Sequence, residues 1–208
     1  MNNILLAKKL RKYFIMGSQN CYQDPVKTLR LAAESGITAF QFREKGKAPL
    51  TGKDKLELGK KLREICWEYN LLFIVNDDID LVEPLEADGI HVGQDDLSVH
   101  EIRRLMPDKI IGLSVSNTEE LKQSPIQLVD YLGVGPIFST TTKADAKKPV
   151  GVEWITAIRK QYPTIPLVGI GGINTKNART VMNAGADGVA VISAITSAAD
   201  MKRAVSNL

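Results

Sequence analysis

Phe73-Ile74-Val75-Asn76-Asp77-Asp78 and, after a short spacer, Gly89-Ile90-His91-Val92-Gly93-Gln94-Asp95-Asp96 decide the reading of this chain. Each is a brief apolar run that ends in carboxylates. Runs this short are strands rather than helices, and an unbroken apolar run suits a strand buried on both faces of a parallel sheet. Parallel strands joined by a helix lie side by side and point the same way. The two acidic turns therefore emerge at one edge of the sheet. Carboxylates gathered there suit a hard cation such as Mg²⁺, which prefers oxygen ligands. The same aspartates also read as N-caps of the helices that follow.

Outward from that stretch the pattern repeats. Residues 13–16 and 38–42 read as strands before it, and residues 110–114, 130–134, 166–170 and 188–192 after it. Residues 1–12 read as a short amphipathic helix. Asp24 and Pro25 open a helix as N-cap and first residue, and Gly36 stops it. Leu56, Leu58, Leu62, Ile65 and Cys66 fall near helical spacing within 54–69. Ser98 and Glu101 form a capping box for a helix reaching Met106. Further helices are read in the 79–88 spacer, at 118–123, 152–162 and 175–184, and after Ser193. An echo recurs at strand entries: Glu34-Ser35-Gly36, Glu86-Ala87-Asp88-Gly89 and Ala184-Gly185-Ala186-Asp187-Gly188. Small residues there let a helix end turn tightly into the next strand. Eight strands alternating with helices predict an α/β chain, one (β/α)₈ TIM-barrel domain over residues 1–208 with a short N-terminal helix. An open doubly wound sheet is the alternative.

Composition narrows the function. Hydrophobic residues at 44% and charged residues at 25% sit near the globular average, which argues against disorder. The net charge of +3 and the absence of a Lys/Arg run interleaved with aromatics argue against nucleic-acid binding. No apolar stretch reaches spanning length, and the basic residues follow the apolar ones in the first dozen positions, the wrong order for a signal peptide. Cys21 and Cys66, without CxxC spacing, suggest reduced thiols and a cytoplasmic protein. His91 and His100 lack partners at zinc-ligand spacing.

On a barrel, residues just after each strand share one rim, the rim where barrel active sites lie. Three groups stand out there. Arg43, Lys45 and Lys143 are cations suited to phosphate, Arg by its forked donors and Lys as a point charge. Asp77 and Asp96, with Asn76 and Ser114 nearby, suit a metal shared with phosphate oxygens. Gly169-Ile170-Gly171-Gly172 and Ile192-Ser193 offer backbone N–H groups where many barrels bind phosphate. Two anion sites imply two phosphorylated substrates, or one with phosphate at both ends. His91 is left open as an acid–base group or as a residue that orients the pocket. No Ser-His-Asp spacing or reactive cysteine suggests covalent catalysis.

Several motifs in order resemble the thiamine phosphate synthase family: Gln41-Phe42-Arg43-Glu44-Lys45, Val75-Asn76-Asp77-Asp78, residues 88–96, Gly133-Val134-Gly135-Pro136-Ile137-Phe138, Thr140-Thr141-Thr142-Lys143 and Gly169-Ile170-Gly171-Gly172-Ile173. The resemblance runs from about residue 13 to 195. It implies a transferase of thiamine biosynthesis on a (β/α)₈ barrel. The reaction implied is condensation of 4-amino-5-hydroxymethyl-2-methylpyrimidine diphosphate with 4-methyl-5-(2-hydroxyethyl)thiazole phosphate, through a pyrimidine methylene cation. It further implies Mg²⁺ on Asp77 and Asp96, and Arg43, Lys45, Lys143, Asn76 and Ser114 around the departing diphosphate. Gln41 would help hold the pyrimidine, and Thr140, Thr142, Gly172, Ile192 and Ser193 would surround the thiazole phosphate. The 135–149 loop would close over both substrates. Thiazole tautomerases are a related branch that carries His two residues beyond the fifth-strand serine. Here that position is Ser116, and the metal and diphosphate residues are present, which favours the synthase. A non-catalytic sensor of phosphate ligands on the same barrel is a third reading. Oligomeric state is not read from the sequence.

Overall fold

In a computed structural model, residues 1–140 and 147–208 are described. Eight parallel strands close into a barrel in chain order. They are β1 (Lys12–Met16), β2 (Ala39–Phe42), β3 (Leu72–Asn76), β4 (Gly89–Val92), β5 (Ile110–Val115), β6 (Tyr131–Val134), β7 (Leu167–Ile170) and β8 (Gly188–Val191). Pairing of β1 with β8 closes the ring, with Tyr13 opposite Ala190. A closed ring has no unpaired edge to protect.

The described helices are α1 (Asn3–Lys9), α2 (Pro25–Glu34), α3 (Gly52–Glu68), α4 (Val99–Leu105), α5 (Thr118–Gln123), α6 (Val152–Gln161), α7 (Ala178–Asn183), α8 (Ser193–Thr196) and α9 (Met201–Ser206). The helices after the strands bury apolar stripes against the outer face of the barrel, as helical periodicity requires. Leu29, Ala32, Leu62, Ile65, Ile155 and Ile158 belong to that outer core. Asp24 accepts the Lys27 N–H at 2.9 Å and starts α2. Ser98 accepts the Glu101 N–H, and its own hydroxyl binds the Glu101 carboxylate at 3.0 Å. No helix among the described residues is long and apolar enough to cross a membrane.

Two expected helices take another form. The spacer between β3 and β4 holds one 3₁₀ turn, Ile79–Leu81. The closing helix is split into α8 and α9, because Asp200 caps a new start by accepting the Arg203 N–H at 2.9 Å.

The barrel interior is a second, smaller core. Leu6 of α1 and the following Leu10 join Tyr13, Ile15, Ala39, Leu72, Ile74, Tyr131, Val168, Ala190 and Ile192. The N-terminal helix thus stoppers the lower end of the barrel.

A repeated clasp joins strands in pairs at that lower end. Asp88, just before β4, accepts the Phe73 N–H of β3 at 2.8 Å and pairs with Arg63 of α3 at 3.1 Å. Asp130, before β6, accepts the Ile111 N–H of β5 at 2.8 Å and pairs with Arg103 of α4 at 2.7 Å. Asp187, before β8, accepts the Leu167 N–H of β7 at 2.8 Å and pairs with Arg159 of α6 at 2.6 Å. Before β2 the hydroxyl of Thr38 accepts the Lys12 N–H of β1 at 2.9 Å. The echo at strand entries is, in two of its three copies, the sequence around one of these aspartates.

Removing a clasp leaves a strand N–H and an arginine without their shared acceptor. Asp130→Ala is expected to lower unfolding free energy by about 2–4 kcal/mol, and Asp130→Asn by less, since one acceptor oxygen survives. Urea denaturation of the two variants checks both size and order.

Candidate active site

The strand C-termini open into a cavity of about 250 Å³. One wall comes from β2, β3 and β4. β2 ends at Phe42, and Arg43 and Lys45 follow it onto the wall. Arg43 is 7% exposed, an expensive place for a cation unless an anion is meant to meet it. Lys45 reaches Asp77 at 2.7 Å. That bond, against the opposing effect of burial, raises the Lys45 pKa and keeps the ammonium charged.

Asp77 stands just past β3 in the left-handed region, at φ 58°, and its N–H donates to the His91 carbonyl at 2.9 Å. The turn carries its carboxylate to Asp96, which follows β4 and accepts the Gly93 N–H at 2.7 Å. Partial burial pushes the Asp96 pKa up and the neighbouring Asp77 adds to the rise, with the Gly93 bond opposing. Two carboxylates this close repel one another as anions. The pair therefore has the chemistry of a hard-cation site, with Lys45 in contact with it. Among the described residues no group of three or more His, Cys, Asp and Glu side chains gathers. A two-carboxylate site suits Mg²⁺, which commonly completes its shell with water and substrate phosphate. The outer aspartates serve elsewhere. Asp78 pairs with Lys55 of α3 at 2.8 Å, and Asp95 is exposed at the cavity edge.

Across the barrel, the loops after β7 and β8 supply Gly171, Gly172, Ile192 and Ser193. Gly172 has φ 64°, and a Cβ there would lie 2.5 Å from the Ser139 carbonyl oxygen. Only glycine fits this close approach, and it leaves backbone facing the cavity. Thr140 completes this side. Thr142 and Lys143 lie outside the described residues.

The cavity floor is a chain of polar side chains inside the barrel. Gln41 donates to the Tyr13 hydroxyl at 2.8 Å, and Tyr13 meets the Tyr131 hydroxyl at 2.9 Å. Tyr131 meets His91 Nδ1 at 2.9 Å, and His91 Nε2 meets Ser114 Oγ at 2.8 Å. With Gln41 donating a hydrogen bond to it, the Tyr13 hydroxyl can donate to Tyr131, Tyr131 to His91 Nδ1, and His91 Nε2–H to Ser114. Run in that direction, the chain leaves the Ser114 hydroxyl proton available to a ligand oxygen. Burial raises the pKa of both tyrosines, so they remain neutral members of the chain. His91 is thus held by hydroxyls at both ring nitrogens, as a residue that orients the pocket would be. Gln41 is 2% exposed and lies below the cavity wall rather than in it.

Sequence reasoning missed Tyr13 and Tyr131, which read as ordinary strand aromatics. It also passed over Glu120 and Lys147, an ion pair on the cavity wall. Ser116 lines the same wall, and Glu120 accepts its N–H at 2.8 Å.

Fold and cavity together define a (β/α)₈ barrel whose strand ends carry cations, paired carboxylates and a glycine turn, a class that handles phosphorylated ligands. A family profile described as thiamine monophosphate synthase matches residues 12–195. The thiamine-phosphate synthase of Oceanobacillus iheyensis is 60% identical over 199 residues, 96% of this chain and 97% of that one. Thiamine-phosphate synthase 1 of Streptococcus pneumoniae is 51% identical over 197 residues, 94% of each chain. The solved structure of a thiamine phosphate pyrophosphorylase from Pyrococcus furiosus superposes with a TM-score of 0.87 at 37% identity, covering 98% of this chain and 95% of that one. The chain belongs to the thiamine monophosphate synthase family and is, with it, a transferase.

The floor needs space that two glycines provide. A Cβ on Gly112 would lie 2.2 Å from the Tyr131 ring and 2.4 Å from His91 Nδ1, and one on Gly133 would lie 2.9 Å from His91 Cε1. Gly112→Ala is expected to cost about 1–3 kcal/mol of stability by overpacking and to displace His91 from Ser114. Urea denaturation, and the His91 ring resonances in an NMR spectrum, measure the two effects.

Proposed function

We propose that this protein condenses 4-amino-5-hydroxymethyl-2-methylpyrimidine diphosphate with 4-methyl-5-(2-hydroxyethyl)thiazole phosphate to give thiamine phosphate and diphosphate. The observation that carries the reading is one cavity with Arg43, Lys45, Asp77 and Asp96 on one wall and Gly171, Gly172, Ile192 and Ser193 across it. The first set suits a diphosphate and its metal, the second a monophosphate.

The bond from the pyrimidine methylene to the diphosphate oxygen breaks first, and its electron pair leaves with the diphosphate. The thiazole nitrogen then donates its lone pair to the methylene cation. Charge accumulates on the departing diphosphate, so the groups that speed the reaction are those that meet it there. Arg43, Lys45 and Lys143 neutralise it, and Asn76 and Ser114 donate hydrogen bonds to its oxygens. Asp77 and Asp96 would hold Mg²⁺, which would add to the neutralisation of diphosphate charge. Thr140, Thr142, Gly172, Ile192 and Ser193 hold the thiazole phosphate so that its nitrogen faces the methylene. Gln41, one layer down, supports the pyrimidine through the polar floor. Excluding water protects the cation from capture by solvent.

A cytoplasmic setting fits the two free cysteines. Burial raises both thiol pKa values, Cys21 to about 11, so neither is a ready nucleophile.

Purified protein with Mg²⁺ and both substrates is expected to form thiamine phosphate and diphosphate in equal amounts. Saturable binding without product, or isomerisation of a thiazole carboxylate phosphate alone, would overturn the reading. Asp77→Asn is expected to lower kcat by about a hundredfold while thiazole phosphate affinity changes by less than about threefold. Lys143→Ala should show the same split. Equal loss of turnover and thiazole phosphate affinity would remove both residues from the diphosphate.

A further inference from the structure

We propose that Gln19 is a positioning residue that sets Arg43 and Lys45 against the diphosphate, an inference that rests on the function proposed above. Strand pairing alone does not place these two cations. β2 ends at Phe42, and the last bond in register beyond it is from the Arg43 N–H to the Met16 carbonyl at 3.0 Å. Beyond that point the 3₁₀ turn Ser18–Asn20, which follows β1, takes over.

Gln19 Nε2 lies 3.1 Å from the Arg43 carbonyl and 2.9 Å from the Lys45 carbonyl. Its third neighbour, Asn20 Oδ1, is farther at 3.2 Å. An amide has two protons, and the two backbone carbonyls are the nearer claimants. Between them Glu44 is held on the opposite side. Its carboxylate accepts the Ser18 hydroxyl at 2.9 Å, the Leu50 N–H at 2.9 Å and the Ser18 N–H. Three successive residues are thus clamped in extended form, with Arg43 and Lys45 on the cavity side and Glu44 away from it. Gly17 lets the turn come this close, since a Cβ there would lie 2.1 Å from the Arg43 carbonyl oxygen.

The residue type follows from the electrostatics. Arg43 and Lys45 repel one another, and Arg43 works against the raised Lys45 pKa. A clamp beside them must donate hydrogen bonds without adding a third positive charge. An amide does so, whereas a carboxylate would set acceptor against acceptor. Gln19 Oε1 is buried with no hydrogen-bond partner. Turning the amide over would place that oxygen against two carbonyls, so the orphaned acceptor is the lesser cost.

Gln19→Met keeps the length of the side chain and removes both donors, and Gln19→Glu keeps its shape and reverses its hydrogen bonding. Binding of inorganic diphosphate in Mg²⁺ buffer, followed by calorimetry, is expected to weaken by about tenfold in Gln19→Met and by more in Gln19→Glu. In turnover, kcat should fall by a similar factor while KM for thiazole phosphate stays within about twofold. A general structural role predicts the reverse order, because Glu fits the site and forfeits least packing, and it predicts equal damage to both substrates. Either of those results, or diphosphate binding unchanged in Gln19→Met, would overturn the inference. If the unaltered protein forms no thiamine phosphate, the proposed reaction fails, while diphosphate binding still judges Gln19 separately.

Discussion

Three carboxylates at the closed end of the barrel, Asp88, Asp130 and Asp187, bear on everything at the open end. Each accepts the first free N–H of one strand, stands at the start of the next, and is held by an arginine from the helix that precedes the first of the two strands. Parallel pairing leaves strand starts with donors that no neighbour takes, and burying such donors is costly. The clasp satisfies them and fixes the stagger of each strand pair. Since residues alternate in and out along a strand, a slip of one position would turn Asn76, His91 and Ser114 away from the cavity. The catalytic rim inherits its register from contacts at the other end of the strands.

The cavity is arranged so that its charges offset one another before a ligand arrives. Lys45 rests on Asp77, Asp77 crowds Asp96, and Lys147 rests on Glu120. In the proposed reaction a diphosphate and its metal would exchange partners with the first three groups instead of meeting bare ions. Such preorganised charge is the main means by which a protein lowers a barrier to charge separation. The hydrogen-bonded floor beneath, from Gln41 to Ser114, adds direction.

Much of this was legible in the sequence where the signal is local. Short apolar runs marked the strands, and the residues just past them, from Arg43 to Ser193, fall on one rim because topology puts them there. Asp77 and Asp96 could be paired on paper, since consecutive parallel strands bring their ends together. The clasps could not. Arg63, Arg103 and Arg159 find their aspartates 25, 27 and 28 residues away, so the recurrence at strand entries showed only as a preference for small residues. Tyr13 and Tyr131 are 118 residues apart, and their hydroxyl contact exists only once the ring has closed. Gln19 drew no reading at all, because its partners are backbone carbonyls, which leave no trace in residue identity. The split of the closing helix was equally hidden, for it depends on the backbone that lets Asp200 act as a cap.

The stopper formed by Leu6 and Leu10 has a consequence for traffic. With the lower end of the barrel plugged by aliphatic side chains, the vessel has one doorway among the described residues, at the strand C-termini. In the proposed reaction two substrates would enter by it and two products would leave by it. Whatever settles deepest, above His91 and Ser114, would arrive before the way is occupied and depart after it clears. A bottle with one neck imposes a queue, and here an N-terminal helix far from the chemistry is what makes it a bottle.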